Sequence, residues 1–199
     1  MGIGFSIDDE EAKIALFAGV RKTGKSTKQK ELTMAWLKSG GRAVVIPSSK
    51  YERTFRSVPR IKPENIPSLP PGKLAAIDCT DQHEFGEVLK YCDDILIVCD
   101  DIKGYLPSNG LTKEVRNAFI SSRHRNVNMT IAMHGLTHAP PEFYDFVNLI
   151  FLFRTKDNLN RHRDKFQDLE KMIEVQRQVN EIAHQEKNKY YFKIIEYAE

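Results

Sequence analysis

The sequence predicts an α/β fold with a mostly parallel central sheet flanked by helices, and three observations carry that reading. Short apolar runs alternate with longer amphipathic stretches, a glycine-bearing loop joins the first run to the first helix, and 199 residues, 41% of them hydrophobic, supply one sizeable core. The runs Lys13–Ala18, Ala43–Ile46, Leu74–Ile77, Ile95–Cys99, Met129–Met133 and Leu149–Phe153 are continuous, short and rich in β-branched residues, as strands buried on both faces are. Between them, Lys25–Lys38 places Leu32 and Trp36 one turn apart, Asp81–Tyr91 follows, and Thr112–Ser122 sets Val115 and Phe119 at i, i+4. Asn160–Gln185 carries Phe166, Leu169, Met172, Val175, Val179 and Ile182 at helical spacing, and Tyr190–Tyr197 reads as a final strand. The expected organisation is a single domain over 1–199, with an excursion at 47–72 and a C-terminal helix–strand appendage at 158–199. The excursion holds six of the nine prolines, which rule out a regular ladder there.

Lys and Arg number 30 against 27 for Asp and Glu, a net +3 that excludes a disordered tail and a histone-like polycation. Any nucleic-acid contact must then come from local patches or from assembly. Cys79, Cys92 and Cys99 form no CxxC pair, which points to a reducing compartment rather than a disulfide framework or a zinc site. The longest apolar runs are about five residues against the ~20 of a membrane span, and the acidic Asp8-Asp9-Glu10-Glu11 start is no signal peptide, so a soluble intracellular protein is expected.

Residues 19–26, Gly19-Val20-Arg21-Lys22-Thr23-Gly24-Lys25-Ser26, match GxxxxGK[ST] between a predicted strand and a predicted helix, the context that phosphate loop requires. The two glycines let the backbone curl until successive N–H groups point inward, and the helix start adds its positive end. Lys25 is placed to reach the β- and γ-phosphates of a nucleotide such as ATP, and the Ser26 hydroxyl to coordinate Mg²⁺. Thr27 either touches the α-phosphate or is ordinary early-helix polarity.

Five apolar residues, Ile95–Cys99, run into Asp100-Asp101. Packing explains such a pair poorly, because an acid is rarely buried without a partner. Asp100 is the expected Mg²⁺ organiser and Asp101 the base that polarises an attacking water, unless Asp101 caps the next segment. A further strand ends at His134, where a polar tip can lie between the γ-phosphate and the carboxylate as a sensor. Ahead of it, Arg123 and Arg125 flank a helix end. An arginine delivered to a γ-phosphate contributes ~10³–10⁵ in rate, whereas the alternative for either is pairing with surface acids.

Taken together, Gly19–Ser26, the strand ending in Asp100-Asp101, Arg123-His124-Arg125-Asn126 leading to Met129–His134, and Ala139–Phe143 before Leu149–Thr155 resemble the FtsK–HerA superfamily of DNA-pumping ATPases. In size the chain is similar to the compact genome-packaging ATPases of membrane-containing and related viruses. The resemblance spans Lys13 to Asp157, and the Arg42–Ser49 strand with its polar end is similar to the family's second strand. It implies a RecA-like P-loop NTPase core with an additional strand, Mg²⁺-ATP hydrolysis at subunit boundaries, and a trans-acting arginine finger. It also implies a pentameric or hexameric ring around double-stranded DNA, with capsid or virion-membrane components as partners and the host cytoplasm or a packaging vertex as the location. Two positions depart from the pattern: the family commonly has glutamine where this chain has His134, and glutamate where it has Asp101, one methylene shorter.

Two basic stretches offer themselves to a polyanion. Lys50, Arg53, Arg56, Arg60 and Lys62 against Glu52 give +4, and Arg154, Lys156, Arg161, Arg163 and Lys165 against Asp157 and Asp164 give +3. Either is a solvated charged face or a patch that a ring multiplies around a channel. The amphipathic helix from Asn160 packs on its own core or on a capsid or membrane partner. Competing functions for the same motifs are a small nucleotide kinase, against which the acid pair argues, and a nucleotide-gated switch with slow turnover.

Overall fold

The structure is a computed structural model that describes residues 11–48, 54–102 and 110–197. Asp8, Asp9, Glu10, Ser49, Lys50, Glu52 and Arg53 lie outside the described residues. Seven strands form one sheet: β1 (Ile14–Ala18), β2 (Ala43–Ile46), β3 (Leu74–Ala76), β4 (Ile95–Cys99), β5 (Val127–Met133), β6 (Leu149–Phe153) and β7 (Phe192–Glu196). Their spatial order is β3-β2-β4-β5-β1-β6-β7, parallel throughout except that β7 runs antiparallel to β6. Strand β5 is inserted between β1, which feeds the phosphate loop, and β4, which ends at Asp100-Asp101. This is the additional-strand arrangement expected from the resemblance.

Alternation along the strands explains the layers. Leu16, Val44, Ile97, Ile131 and Ile150 face one side, where Phe85 and Val88 of α2 (Gln82–Lys90), Phe119 of α3 (Lys113–Ser122) and Met172 of α4 (Leu169–Gln185) cover them. Phe17, Val45, Val98 and Phe151 face the other side, beneath α1 (Lys25–Lys38). There Phe17 and Phe151 stack at 4.4 Å, and Phe192 joins them from β7.

The inward face of α1 is largely polar. Its buried residues are Lys25, Gln29, Thr33 and Trp36, whereas Leu32 is only half-buried. Polar groups can occupy this face because most of them find partners inside: the Gln29 amide donates to Cys99 O at 3.1 Å and to the Thr130 hydroxyl at 3.3 Å, and Thr33 donates to Gln29 O at 2.7 Å.

The helix expected from Asn160 starts nine residues later, at Leu169. A 3₁₀ segment, Leu159–Lys165, kinks at His162, and Asp168 then opens α4 by accepting the Lys171 N–H at 2.9 Å. The described residues after 158 contact the sheet directly. Strand β7 extends the sheet, and the Asn180 side chain brackets Thr155, accepting from its N–H at 3.1 Å and donating to its carbonyl at 2.9 Å. Among the described residues of the proline-rich excursion the chain makes a short 3₁₀ turn, Pro63–Ser68, and an isolated bridge from Arg60 to Ala76. Among the described residues no helix is long and apolar enough to cross a membrane.

Arg125 is committed within its own chain. Its guanidinium donates to both Asp93 carboxylate oxygens, at 2.7 and 3.1 Å, and to Leu89 O and Lys90 O, each at 2.9 Å, closing the C-terminal end of α2. It stands before β5 begins, and the seven residues of that strand put roughly 20 Å between it and His134 of the same subunit. Arg125→Ala is therefore expected to lower unfolding free energy by about 1–3 kcal/mol. Denaturant unfolding checks this, with phosphate-ligand affinity unchanged in the same variant.

Candidate active site

Parallel registry brings the tips of three strands to one edge. Ala18 is level with Met133 and Cys99 with Ile131, so the chain leaves β1 at Gly19, β5 at His134 and β4 at Asp100 side by side. They enclose a cleft of about 480 Å³, lined by Arg21–Thr27 together with Ser48, Thr54, Asp100, Asp101, Ala132 and His134. A larger cleft of about 590 Å³ opens at the opposite strand edge beside Arg123, but it contains neither the loop nor the acids. The chemistry lies in the smaller one.

The loop leaves the sheet anchored on both sides: Gly19 N–H donates to Met133 O at 3.2 Å and Val20 N–H to Arg154 O at 2.9 Å. A Cβ at Gly19 would lie 2.6 Å from Cβ of Phe153, so glycine is required by proximity there. Lys22 and Gly24 take left-handed backbone (φ 63° and 95°), which curls the loop over the helix start. Thr23 stiffens it by donating to Val20 O at 2.8 Å.

Helix α1 begins unlike the other three. Asp81, Thr112 and Asp168 cap α2, α3 and α4 with their side chains, and each of those helices has a glutamate in its first turn. The N-cap of α1 is Gly24, which makes no side-chain bond, and its first turn has no acid. The opening amides at Lys25, Ser26 and Thr27 have no i−4 carbonyl within the helix, so the positive end faces the cleft with no acid in its own first turn to offset it. Such a terminus is suited to an anion.

Lys25 is 8% exposed, and its ammonium folds back to donate to Gly19 O at 2.6 Å and Val20 O at 3.0 Å. Burial pulls its pKa from the usual lysine value down to about 8, although Asp101 and Asp100 act in the opposite direction. Asp100 is 6% exposed and ties three elements together. One oxygen accepts from the Ser26 hydroxyl of α1 at 2.8 Å and the other from the Ser48 hydroxyl after β2 at 3.2 Å.

Asp101 turns out of β4 with φ 48° and accepts from His134 Nε2 at 2.9 Å. Burial lowers the His134 pKa, and Lys25 and Arg21 add to that effect while Asp101 opposes it. Burial thus favours the neutral ring, whose Nε2 faces the carboxylate. The second Asp101 oxygen and His134 Nδ1 are buried and have no protein partner. Two unpaired acceptors on residues that line the cleft leave hydrogen-bonding capacity for a water or a ligand.

The predicted residues Gly19–Thr27, Asp100, Asp101 and His134 are thus assembled in one place. Arg123 is not among them. It ends α3 at the far strand edge, exposed and with no ion pair among the described residues, and Arg125 is held by Asp93. The sequence reading passed over Ser48 and Gln29, and also Asp157, whose carboxylate accepts from Leu136 N–H at 2.6 Å and Thr137 Oγ1 at 3.1 Å and so fixes the backbone just after His134. Ser48 stands just past a strand tip, as His134 does, and that signal was available. Nothing in the sequence marks Gln29 or Asp157, because their partners are remote in the chain.

No protein-family model matches the chain, and a search of curated proteins found no match. Solved structures do match. The genome packaging NTPase B204 from Sulfolobus turreted icosahedral virus 2, in its sulfate complex, aligns with a TM-score of 0.68 at 18% identity, covering 94% of this chain and 92% of that one. Its complex with ATP-gammaS aligns with a TM-score of 0.66 at 15% identity and the same coverage. B204, the DNA-packaging ATPase from Sulfolobus Turreted Icosahedral Virus, gives 0.64 at 14% identity over 93% and 92% of the two chains. The chain has the fold of these packaging NTPases. That is the architecture the sequence resemblance implied, with the additional strand in place.

Phosphate binding should depend on the charge of Lys25. With a free-state pKa of about 8, raised when phosphate arrives, binding takes up a proton above pH 8, so affinity falls as pH rises. The expected loss approaches tenfold per pH unit between about 8 and 9.5 for inorganic triphosphate. Calorimetry checks this, and Lys25→Ala should bind weakly without that step.

Proposed function

We propose that the chain is a Mg²⁺-dependent ATPase that drives double-stranded DNA translocation, as a viral genome-packaging motor hydrolysing ATP at subunit interfaces. The observation that carries this reading is the Asp101–His134 pair, set at the tips of the inserted and acidic strands beside Lys25, within a fold shared with packaging NTPases. A carboxylate whose second oxygen is unpaired can orient a water and take its proton. The neutral His134 holds that carboxylate in place and registers changes at the γ-phosphate. Lys25 exchanges two loop carbonyls for phosphate oxygens, and the start of α1, which has no side-chain cap, receives the remaining charge.

The residues present fit Mg²⁺, which prefers hard oxygen donors and few carboxylates, because the Ser26 hydroxyl and Asp100 carboxylate adjoin on one wall of the cleft. They would hold the ion, which supplies charge neutralisation on the phosphates. A kinase needs an acceptor beside the γ-phosphate, whereas the unpaired acceptors here favour a water.

For DNA, Arg154, Lys156, Arg161 and Arg163 are exposed and follow β6 on the same edge as the phosphate loop. Lys165 is withdrawn from that patch by donating to Thr137 O at 2.7 Å and Ala139 O at 2.6 Å. In the other stretch Arg60 pairs with Asp78 at 3.2 Å. The first patch is therefore the proposed contact, and repetition around a pentameric or hexameric ring raises its charge against the duplex. Arg123, exposed and without an ion pair among the described residues, is the proposed trans-acting finger. The proposed setting is the host cytoplasm at a packaging vertex, with capsid or virion-membrane components as docking partners.

ATPase activity measured with and without duplex DNA, while particle size is followed, tests the whole reading. Stimulation by DNA together with ring-sized particles is expected, and turnover indifferent to DNA would sink it. Asp101→Asn should keep nucleotide affinity and lose about 10²–10⁴ in turnover.

Subunit sharing has its own measurement. Arg123→Ala and Lys25→Ala should each be inactive alone, losing roughly 10³ or more. Mixing them should restore part of the activity, because some interfaces then hold one intact loop and one intact finger. Absence of recovery in co-assembled rings would remove the trans assignment.

A further inference from the structure

A second recess, of about 360 Å³, adjoins the phosphate cradle. Gly24 and Thr27 line both, and on its outer side stand Phe153, Tyr190 and Phe192 from the C-terminal strands and the segment between them. The Tyr190 ring rests against the loop itself: a Cβ on Gly24 would lie 3.1 Å from its Cδ1. Tyr190 is nevertheless 57% exposed, although the Lys189 ammonium stands 5.0 Å from the ring centre. An aromatic ring held at the lip of an anion cradle, and left more than half open, is surface that the fold does not use for its own core. Beneath it Phe192 lies 5.0 Å from Phe153 and 5.9 Å from Phe151, so the floor of the recess is continuous with the packed aromatic column under α1.

The polar groups of the recess are committed to one another. Lys28 and Glu31 pair at 3.0 Å, and the Lys28 ammonium also stands 5.6 Å from the Phe192 ring. A ligand here meets flat apolar surface and, at Thr27, the route to the loop. Those are the requirements of an aromatic base carried on a phosphate chain.

We propose that this recess receives the base of the nucleotide whose phosphates lie in the loop, with Tyr190 as its stacking platform, and that it accepts adenine and guanine alike. The inference rests on the phosphate-loop reading above. Stacking is tolerant of base identity because every base offers a π-face, and the charged groups that line the recess, Lys28 and Glu31, are paired with each other. The segment before β7 would then be part of the nucleotide site, although it lies more than 160 residues from the loop motif.

Binding of three probes to the full chain separates the possibilities: the nonhydrolysable β,γ-methylene analogues of ATP and GTP, and inorganic triphosphate, measured by calorimetry. Wild type should bind both analogues within about fivefold of each other and more tightly than triphosphate. Tyr190→Ala should weaken both analogues roughly tenfold while triphosphate stays within about twofold, and Tyr190→Phe, which keeps the ring, should restore them. Parallel loss of all three probes in Tyr190→Ala would mean that the ring merely props Gly24, and would overturn the proposal. So would analogue binding that ignores the substitution, or a preference of about a hundredfold for one base. Triphosphate bound as tightly as the analogues by wild type defeats the base site alone, whereas a wild type that binds none of the probes defeats the phosphate-loop reading and this one with it.

Discussion

A carboxylate buried at the end of a strand needs partners, and Asp100 obtains them from two other elements at once. Ser26 on α1 and Ser48 after β2 donate to its two oxygens, so the start of the first helix, the second strand and the acidic strand are held in one geometry by a single side chain. Lys25 is drawn into the same field. Desolvation disfavours its charge, the two aspartates oppose that penalty, and the loop carbonyls take up its ammonium. The site is therefore assembled around an electrostatic balance that an arriving polyanion would shift, because phosphate can replace the carbonyls without a rearrangement of the sheet.

The buried polar seam of α1 serves the same end. Gln29 reaches across to Cys99 O and Thr130, linking the helix to the strand that carries the acids and to the strand that carries His134. On the other side of the loop the C-terminal residues act as a strap. Asn180 fixes Thr155, Thr155 donates to Asp157 at 2.7 Å, and Asp157 holds the backbone of Leu136, two residues past His134. A Cβ at Gly135 would meet the Asp157 carboxylate at 2.4 Å, so a side chain there would displace that carboxylate from its bonds. Through these contacts α4 and the tip of β6 are coupled to the loop that follows His134, which gives the C-terminal part of the chain a stake in the site.

Most of the strands and the phosphate loop were legible because their signals are local. Continuous β-branched runs locate strands wherever both faces are covered, and GxxxxGK[ST] between a strand and a helix has one well-defined geometric use. The acidic strand end and His134 were legible for a related reason, since polar residues at the tips of buried strands are costly unless something there needs them. The start of α4 was misplaced because Phe166 keeps the helical spacing while the chain around His162 departs from helical φ and ψ. The spacing of Leu32 and Trp36 marked the α1 helix but not its buried face, which is set by polar partners on β4 and β5.

By itself the sequence determined the alternation of strands and helices, the phosphate loop and the acid pair, each set by residues within a few positions of one another. Only the tertiary structure decided that Arg125 is held by Asp93, that Ser48 shares Asp100 with Ser26, and that Tyr190 comes to lie on Gly24. Those pairings depend on strand order and register, and contacts made across a sheet leave no periodicity along the chain to be read.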